Sequence, residues 1–353
     1  MISYFVLGSE KMNRRVLLTV VDPTENNAGP KAKDDIEKIL VQSGYEKMRL
    51  PYNWKSKIAK FKYINWSIPR LFKGEKIGEL IMQYPVYSRA LMNSFISNYR
   101  KNSNGKLYFI IHDLESLRFY SDDPSYLTEE IKWLKEADGI IAHNSSMEKW
   151  IRSQGVKTPI VNLEVFDYLN PQPLNEQFEY NKSVCLAGNL RKDEFLTNFE
   201  TGDVKLKVYG PNPPSGMSKN INYVGQFSPD ALPAHLDACF GLVWDGKRLD
   251  TCSGTLGRYM TFNSPHKVSL YLSTGIPVII WKKAAVSNFI EKNNLGITID
   301  TLYELPKILN NLTQEEYVVM KKNVLNIANE LRNGERIKSS LSKLEQITND
   351  LGD

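Results

Sequence analysis

The feature that most constrains the fold is a regular alternation of short, apolar, β-rich segments with segments of helical periodicity, such as Lys31 to Ser43 and Tyr126 to Ala137. Strands that are apolar throughout are typical of parallel sheets covered by helices on both faces. The segments predicted as strands are Arg15 to Val21, Leu107 to Ile111, Gly139 to Ala142, Pro159 to Asn162, Ser183 to Ala187, Leu206 to Tyr209, Phe240 to Trp244 and Ile276 to Trp281. The sequence therefore predicts an α/β architecture of Rossmann-like type that occurs twice.

The two series of strands and helices are separated by a segment without apolar periodicity, Asp167 to Asn181, which contains two prolines and three asparagines. Such a segment is typical of a linker between domains. We therefore predict one Rossmann-like domain over residues 1–168 and a second over residues 182–334. The remaining residues, 335–353, have helical periodicity, and we expect this helix to pack back onto the first domain.

The composition is that of an ordinary folded protein, with 353 residues, 42% hydrophobic and 24% charged. Three widely separated cysteines predict neither a disulfide framework nor a cysteine-based zinc site, and they fit a reducing cytoplasm. The N-terminus does not have the pattern of a signal peptide, and no run of 18 apolar residues occurs. We therefore expect a cytoplasmic protein.

The formal net charge of +5 conceals a basic segment. Between Leu50 and Ile110, eleven Lys and Arg stand against two Glu, which is a net charge of +9. Apolar residues are interleaved with the first seven of these cations, a combination that suits an anionic membrane surface. We expect peripheral contact with such a membrane through residues 50–106, at the inner face of the cell membrane; the alternative is an ordinary solvated surface. A nucleic-acid partner is not expected, because no binding module accompanies the segment. The interleaved residues are Trp54, Phe61, Tyr63, Trp66, Ile68, Leu71 and Phe72.

Several common cofactor motifs are missing from the sequence. Neither the dinucleotide fingerprint G-x-G-x-x-G nor the phosphate-binding pattern G-x-x-x-x-G-K-[ST] follows any predicted strand. An acidic D-x-D motif is also missing, and the nearest pattern, Asp113-Leu114-Glu115, is a weak indication of a divalent cation. We therefore expect no cofactor and no metal.

Two histidines directly follow predicted strands. His112 and Asp113 come after one of them, and His143 comes after the next, ahead of Asn144, which resembles a helix N-cap. In a parallel α/β sheet the carboxyl ends of the strands open into the crevice where ligands bind. His112 and Asp113 are therefore candidates for acid or base chemistry, although a single histidine at such a position is more often structural.

The second half contains a lysine in the first turn of a predicted helix that begins near Pro265. Helix N-termini present unpaired N–H groups that bind phosphate, and Lys267 adds a full positive charge there. The alternative is a surface lysine. A glycine turn after another strand, at Gly188, leads into Arg191 and Lys192, either of which can reach phosphate oxygens. Gly29, in an Asn- and Gly-rich loop before the first helix, is expected to line the same cleft.

Five segments of the sequence form distinctive motifs: NAGPKAKDD (27–35), IHDLESLR (111–118), IIAHN (140–144), AGNL (187–190) and the long segment from FGLVWDG to STGIPVIIW (240–281). They resemble the motifs of bacterial β-1,6-galactofuranosyltransferases and of the related glucosyltransferases of the GT-B fold that act on Ser/Thr-rich adhesins. The resemblance extends over nearly the whole chain from about Arg14 and is most specific in the last motif.

The resemblance implies two Rossmann-like domains with parallel sheets facing a central cleft. The N-terminal domain would bind the acceptor, and the C-terminal domain would bind a UDP-sugar donor. Carried over by position, the residues that contact the nucleotide sugar are Gly188, Asn189, Arg191 or Lys192, Pro265, His266, Lys267 and Ser269. The family varies in whether the cation of the first loop falls at Arg191 or Lys192.

We therefore expect a metal-independent hexosyltransferase that inverts the anomeric carbon, with Asp113 or His112 as the base. UDP-galactofuranose is the favoured donor, and UDP-glucose is the alternative. The acceptor would be a glycan of cell-surface polysaccharide (lipopolysaccharide or capsule), carried on a polyprenyl diphosphate. A different class of function, an inactive nucleotide-sugar-binding partner in a glycosylation complex, is disfavoured by the presence of both the acid–base candidates and Lys267. A homo-oligomer is compatible with the sequence.

Overall fold

The computed structural model describes residues 14–21, 28–51 and 56–351. Within these residues the chain forms two sheets of six strands, and all the strand pairs are parallel. The first sheet contains β1 (Arg14–Val21), β2 (Glu46–Pro51), β3 (Ile77–Tyr84), β4 (Lys106–Ile111), β5 (Gly139–Ala142) and β6 (Ile160–Asn162). The second contains β7 (Ser183–Ala187), β8 (Lys205–Tyr209), β9 (Ile221–Gly225), β10 (Phe240–Val243), β11 (Val278–Trp281) and β12 (Gly296–Ile299).

Helices connect the strands and cover the sheets. They are α1 (Ala28–Gln42), α2 (Lys57–Lys62), α3 (Ile68–Phe72), α4 (Arg89–Asn102), α5 (Pro124–Glu136), α6 (Ser145–Ser153), α7 (Gly254–Tyr259), α8 (His266–Thr274), α9 (Ser287–Lys292), α10 (Leu305–Asn311), α11 (Gln314–Arg332) and α12 (Glu335–Asp350). A π-helical turn, Tyr63–Ser67, joins α2 to α3. The expected cap of α6 is confirmed, because Oδ1 of the Asn144 side chain accepts from the backbone N–H groups of Ser146 and Met147.

Strand order determines where a ligand can enter each domain. The first sheet has the order β2-β1-β3-β4-β5-β6, and the second has β12-β11-β10-β7-β8-β9. In the first sheet the chain runs outward from β1 to β2 on one side and from β3 to β6 on the other, so the switch point lies between β1 and β3. In the second sheet it runs outward from β7 to β9 on one side and from β10 to β12 on the other, so the switch point lies between β7 and β10. Because the connections leave in opposite directions at such a point, a crevice opens at the carboxyl ends of the two strands. The loops after β7 and β10 therefore lie side by side.

The last helix packs on the first sheet, as expected. α12 contacts β5 and β6, and Leu344 lies so close to Gly139 that a Cβ there would be 2.9 Å from the leucine side chain. The carboxylate of Asp167 accepts from the first α12 amides, those of Arg336 at 3.1 Å and Ile337 at 2.7 Å. The chain thus crosses between the two sheets twice, once after β6 and once between α11 and α12.

The predicted α/β fold with two parallel sheets is confirmed, but four strands were missed. Three of them, β2, β9 and β12, lie at the edges of their sheets. Edge strands are partly exposed and carry polar residues, so their apolar signal is weak. The fourth, β3, is central but contains Glu79 and Gln83. Glu79 forms hydrogen bonds with Tyr45 and Arg15, and Gln83 forms one with His112.

Candidate active site

Two loops of the C-terminal domain meet at its switch point, one after β7 and one after β10. Gly188 directly follows β7 with φ of +149°, a backbone conformation that side chains disfavour. A Cβ at this position would lie 2.9 Å from Cε of Lys267. Glycine therefore lets the β7 loop approach the first turn of α8.

Four charged side chains are gathered where these loops meet α8. Nζ of Lys192 lies 2.7 Å from Oδ1 of Asp245, and Nζ of Lys267 lies 3.3 Å from the same oxygen. Burial lowers the pKa of the Lys267 ammonium, but the nearby carboxylates of Asp193 and Asp245 outweigh it, so the net shift is upward. The Lys267 ammonium is therefore charged at neutral pH, and it lies at the switch point beside Lys192.

The two carboxylates of this cluster are not equivalent. Lys192 and Lys267 outweigh burial at Asp245, and its pKa is lowered. Asp193 is completely buried, and among the described residues neither of its carboxylate oxygens has a hydrogen-bond partner. Burial raises the pKa of this second carboxyl. Asp245 was detectable as the residue that follows a strand, whereas no sequence signal indicated Asp193.

The helix that carries Lys267 begins where the sequence predicted. Pro265 is the N-cap of α8, and His266 and Lys267 are its first two residues. Ser269, one position beyond the first turn, is buried in the domain. Burial, together with Lys31, lowers the pKa of the His266 imidazole to about 3, so this ring is neutral. The structure thus brings Lys267 and the α8 N-terminus to the cleft.

The predicted residues of the β7 loop divide into two groups. Oδ1 of the Asn189 side chain accepts from the Arg191 backbone N–H at 3.2 Å and from Nδ2 of Asn212 at 3.1 Å, which fixes the turn. The Arg191 side chain is exposed, whereas that of Lys192 turns inward to Asp245. Of the two cations between which the resemblance left a choice, Lys192 is the one that joins the cluster.

On the N-terminal domain, His112 is buried at the end of β4 in a fixed orientation. The amide nitrogen of Gln83 donates to the Lys33 carbonyl oxygen at 3.0 Å and to Thr19 at 2.8 Å. A carbonyl only accepts, so Oε1 of Gln83 must face Nε2 of His112, which lies 2.7 Å away. Nε2 therefore carries the proton, and Nδ1 keeps its lone pair. Burial is the largest cause that lowers the pKa of this ring, so it is neutral.

Asp113 is held in a different way. Its carboxylate forms an ion pair with Arg118 and a hydrogen bond with the Tyr259 hydroxyl, which accepts from the Leu114 N–H at 2.9 Å. Burial raises the pKa of the Asp113 carboxyl despite Arg118. Because Tyr259 belongs to α7, Asp113 takes part in a contact between the domains.

Three aromatic contacts of the cleft involve Phe166. Its ring stacks on His112 at 5.4 Å and meets His143 edge-on at 4.9 Å and His266 at 6.2 Å. The backbone N–H of Ser264 donates to Nδ1 of His143 at 2.9 Å. His112 and the start of α8 therefore face the same part of the cleft. No sequence signal indicates Phe166, since it lies beyond the end of β6 at Asn162 and neither directly follows a strand nor begins a helix.

The expected position of Gly29 needs correction. Gly29 does not precede the first helix, because α1 already begins at Ala28 and Gly29 lies in its first turn. The residue of α1 that reaches the end of the strands is Lys33, which is buried and donates to the carbonyl oxygens of Val20 at 3.0 Å and Pro85 at 3.1 Å. The rest of the Asn-rich loop, residues 22–27, lies outside the described residues.

The basic segment is not one continuous surface. It includes the central strands β3 and β4, and Ile68 and Phe72, expected at a membrane, are core residues. Phe61 and Trp66 are more than half exposed, with 62% and 55% of their surface accessible, and Trp54 lies outside the described residues. Within the described part of the chain, no helix is long and apolar enough to cross a membrane.

Comparisons with known proteins identify the family. Residues 15–165 match the N-terminal domain of the glucosyltransferase 3-like family, and residues 184–344 match its C-terminal domain. The chain is 32% identical to β-1,6-galactofuranosyltransferase WbbI of Escherichia coli (strain K12), over 69% of this chain and 71% of that protein. It is 28% identical to glucosyltransferase 3 of Streptococcus gordonii, over 72% and 75% of the two chains.

Solved structures agree on the fold. Sucrose-phosphate synthase of Thermosynechococcus elongatus superposes with a TM-score of 0.60 at 13% identity, covering 94% of this chain and 98% of that one. The trehalose-6-phosphate synthase OtsA superposes with a TM-score of 0.56 at 10% identity, covering 95% and 99%. Both are GT-B glycosyltransferases. The chain therefore belongs to the glucosyltransferase 3-like family of GT-B glycosyltransferases, the family that the sequence motifs indicated.

Proposed function

We propose that the chain transfers a hexose from a UDP-sugar to a hydroxyl group of a glycan, without a metal ion. The observation that carries the proposal is the pair of inward-facing lysines, Lys192 and Lys267, beside the N-terminus of α8. Two ammonium groups and a helix dipole can balance a diphosphate and stabilise the charge that grows on the leaving UDP. Among the described residues, no three His, Cys, Asp or Glu side chains form a group that could hold a metal.

UDP-galactofuranose is the proposed donor. It is favoured by the E. coli relative, named for galactofuranosyl transfer, whose identity of 32% exceeds the 28% and 26% of the two streptococcal glucosyltransferases. The test is transfer to glycan acceptors with UDP-galactofuranose and with UDP-glucose, each supplied alone with EDTA present. Transfer from UDP-galactofuranose supports the proposal. Exclusive use of UDP-glucose would refute this donor, and a requirement for a divalent cation would refute the metal-free reaction.

His112 is the proposed base. Its Nδ1 has a free lone pair, whereas the Asp113 carboxylate is already bound to Arg118 and Tyr259. The acceptor oxygen would attack the anomeric carbon while its proton passes to Nδ1. The bond between that carbon and the diphosphate oxygen would break, and UDP would leave with the electron pair. The β linkage in the name of the E. coli relative is the product of inversion from an α-linked donor, so we propose a single displacement.

The acceptor is proposed to lie at the inner face of the cell membrane, linked to a polyprenyl diphosphate. The supporting surface consists of α2 and the turn that follows, where Ile58, Phe61 and Trp66 are exposed at 68%, 62% and 55%. Lys57 and Lys62 are exposed beside them. Apolar side chains that enter the interface, with lysines at the headgroups, are the features of a peripheral membrane contact.

Vesicle co-sedimentation tests this contact. We expect binding to phosphatidylglycerol vesicles at low salt, little binding to phosphatidylcholine vesicles, and release at high salt because the attraction is screened. The double variant Phe61→Ser with Trp66→Ser should lose binding. The matched control Val319→Ser, which removes a 51% exposed apolar residue from α11, should keep it. Failure of the unaltered protein to bind anionic vesicles at low salt would refute the contact.

A further inference from the structure

The buried carboxylate of Asp193 is the charged group of the candidate site for which the proposed reaction has no use. It follows the single turn Leu190–Lys192 and is fully buried, and its two oxygens are without hydrogen-bond partners in the described part of the chain. Buried carboxylates are normally bonded. The position of this one, next to the two lysines proposed to bind the donor, suggests that its role depends on the ligand.

The groups that face Asp193 come from three elements. Lys192 belongs to its own turn, Lys267 belongs to α8, and Asp245 follows β10. Cys252 and Tyr271 lie close enough to interact with its charge. Burial raises the pKa of the Cys252 thiol to about 12 and holds the pKa of the Tyr271 phenol well above its ordinary value, so both groups stay neutral. Without ligand, two ammonium groups therefore balance two carboxylates.

Binding of a diphosphate changes this balance. Both lysines now contact the same oxygen, Oδ1 of Asp245, at 2.7 and 3.3 Å. A UDP-sugar adds two negative charges, and the lysines that turn towards it leave the carboxylates. Two buried carboxylates that share too little positive charge cannot both stay ionised, and one of them takes a proton.

We infer that binding of the UDP-sugar is coupled to the uptake of one proton by Asp193. The inference rests on the proposed function, since it assumes that the donor diphosphate occupies this cluster. Asp193 is the acceptor of the proton, rather than Asp245, because it has no hydrogen bond to give up and is the more deeply buried of the two. The proton comes from solvent, and no covalent bond of the donor changes.

The ionisation of the free protein supports this assignment. Burial raises the pKa of Asp193 to about 6, whereas the two lysines keep the pKa of Asp245 low despite its burial. Above pH 6 the free protein has therefore lost the proton that the complex holds. Affinity for the donor must then fall as the pH rises above about 6, by up to about tenfold per pH unit, and it must level off at lower pH.

Calorimetry measures the proton directly. UDP-glucose and UDP-galactofuranose are titrated at pH 7.5 in HEPES and in Tris, and the difference in heat between the buffers gives the number of protons taken up. We expect about one proton per UDP-sugar bound. The diphosphate diester of a UDP-sugar keeps its charge from pH 6 to 8.5, so the proton belongs to the protein. Affinities measured over this range give an independent value.

Two variants identify the group. Asp193→Asn keeps the shape of the side chain and should abolish both the proton uptake and the pH dependence. The control Glu115→Gln removes another buried carboxyl, whose pKa burial raises to about 7, and should retain the uptake. Wild-type binding without proton uptake, or unchanged uptake in Asp193→Asn, would overturn this inference alone. Absence of binding by either UDP-sugar would overturn the proposed function as well.

Discussion

Replacement of Lys267 by methionine tests the centre of the proposed site. Methionine keeps the length and apolar stem of lysine, so the substitution removes the ammonium group and little packing. Nζ of Lys267 is buried against Asp245, which stays paired with Lys192 at 2.7 Å in the variant. The fold should therefore survive, and the effect should appear in the reaction.

The size of the effect follows from the geometry. A unit charge about 4 Å from a phosphate oxygen is worth about 4 kcal/mol at an effective dielectric constant of about 20. Lys267 must exchange its contact with Asp245, now at 3.3 Å, for the contact with the leaving group. The net loss should be about 2 to 4 kcal/mol, the usual range for a preorganised charge in an active site. This corresponds to a fall of roughly 30- to 1000-fold in kcat/KM.

The assay is the initial rate of transfer at low concentrations of the UDP-sugar donor, which reports kcat/KM. The same substitution at Lys282, a surface lysine that is 59% exposed, is the matched control and should leave the rate unchanged. Equal thermal unfolding of the three proteins excludes a folding defect. Transfer by Lys267→Met within threefold of the wild-type rate would show that this ammonium group does not balance the departing diphosphate.

Four other substitutions and one control variant have defined outcomes. His112→Ala should reduce kcat by roughly 10²- to 10⁴-fold and leave the affinity for the donor unchanged. Asp113→Asn should reduce kcat less. If both variants keep the wild-type rate in single-turnover assays, the base lies elsewhere. Gly188→Ala places a Cβ 2.9 Å from the Lys267 side chain and should raise the KM for the donor about 5- to 30-fold. The control Gly216→Ala also strains the backbone, but no atom lies within 4 Å of its Cβ, and it should leave this KM unchanged. Asp167→Ala leaves two backbone amides of α12 without their acceptor. It should lower the free energy of unfolding, measured in urea, by about 1 to 3 kcal/mol and speed hydrogen exchange of the α12 amides. Unchanged hydrogen exchange in α12 would contradict this expectation.

The fold was predictable because its signal is repeated along the chain. Central strands such as β4 and β7 are apolar on both faces, and their boundaries follow the apolar residues closely. Three of the four edge strands, β2, β9 and β12, could not be identified in this way, since one side of each is exposed. The fourth, β6, was predicted. β3 was not predicted for a different reason. Glu79 and Gln83 interrupt its apolar pattern, and the side chains with which they form hydrogen bonds lie on other parts of the fold.

The candidate site was predictable where residues directly follow strands or begin helices. His112 and Lys267 could be selected because parallel strands and helix N-termini have a fixed relation to the crevice. Asp193 and Phe166 could not, because their positions depend on contacts between segments far apart in sequence. The Asp193 carboxylate meets α8 only after the second sheet has formed, and Phe166 meets His266 only when the two domains are in contact.

The charge balance of the site depends on Asp245 as much as on the two lysines. A buried lysine without a counter-ion tends to lose its proton, and a solvated one is not fixed in position. Asp245 addresses both problems, because one oxygen holds Lys192 and Lys267 at 2.7 and 3.3 Å and, together with Asp193, raises the pKa of the Lys267 ammonium. The entropic cost of ordering two long side chains is then met when the protein folds, so it does not weaken donor binding. The same carboxylate competes with the diphosphate for these cations. Donor affinity therefore depends on whether the carboxylates release the lysines, and a proton taken up by Asp193 favours that release.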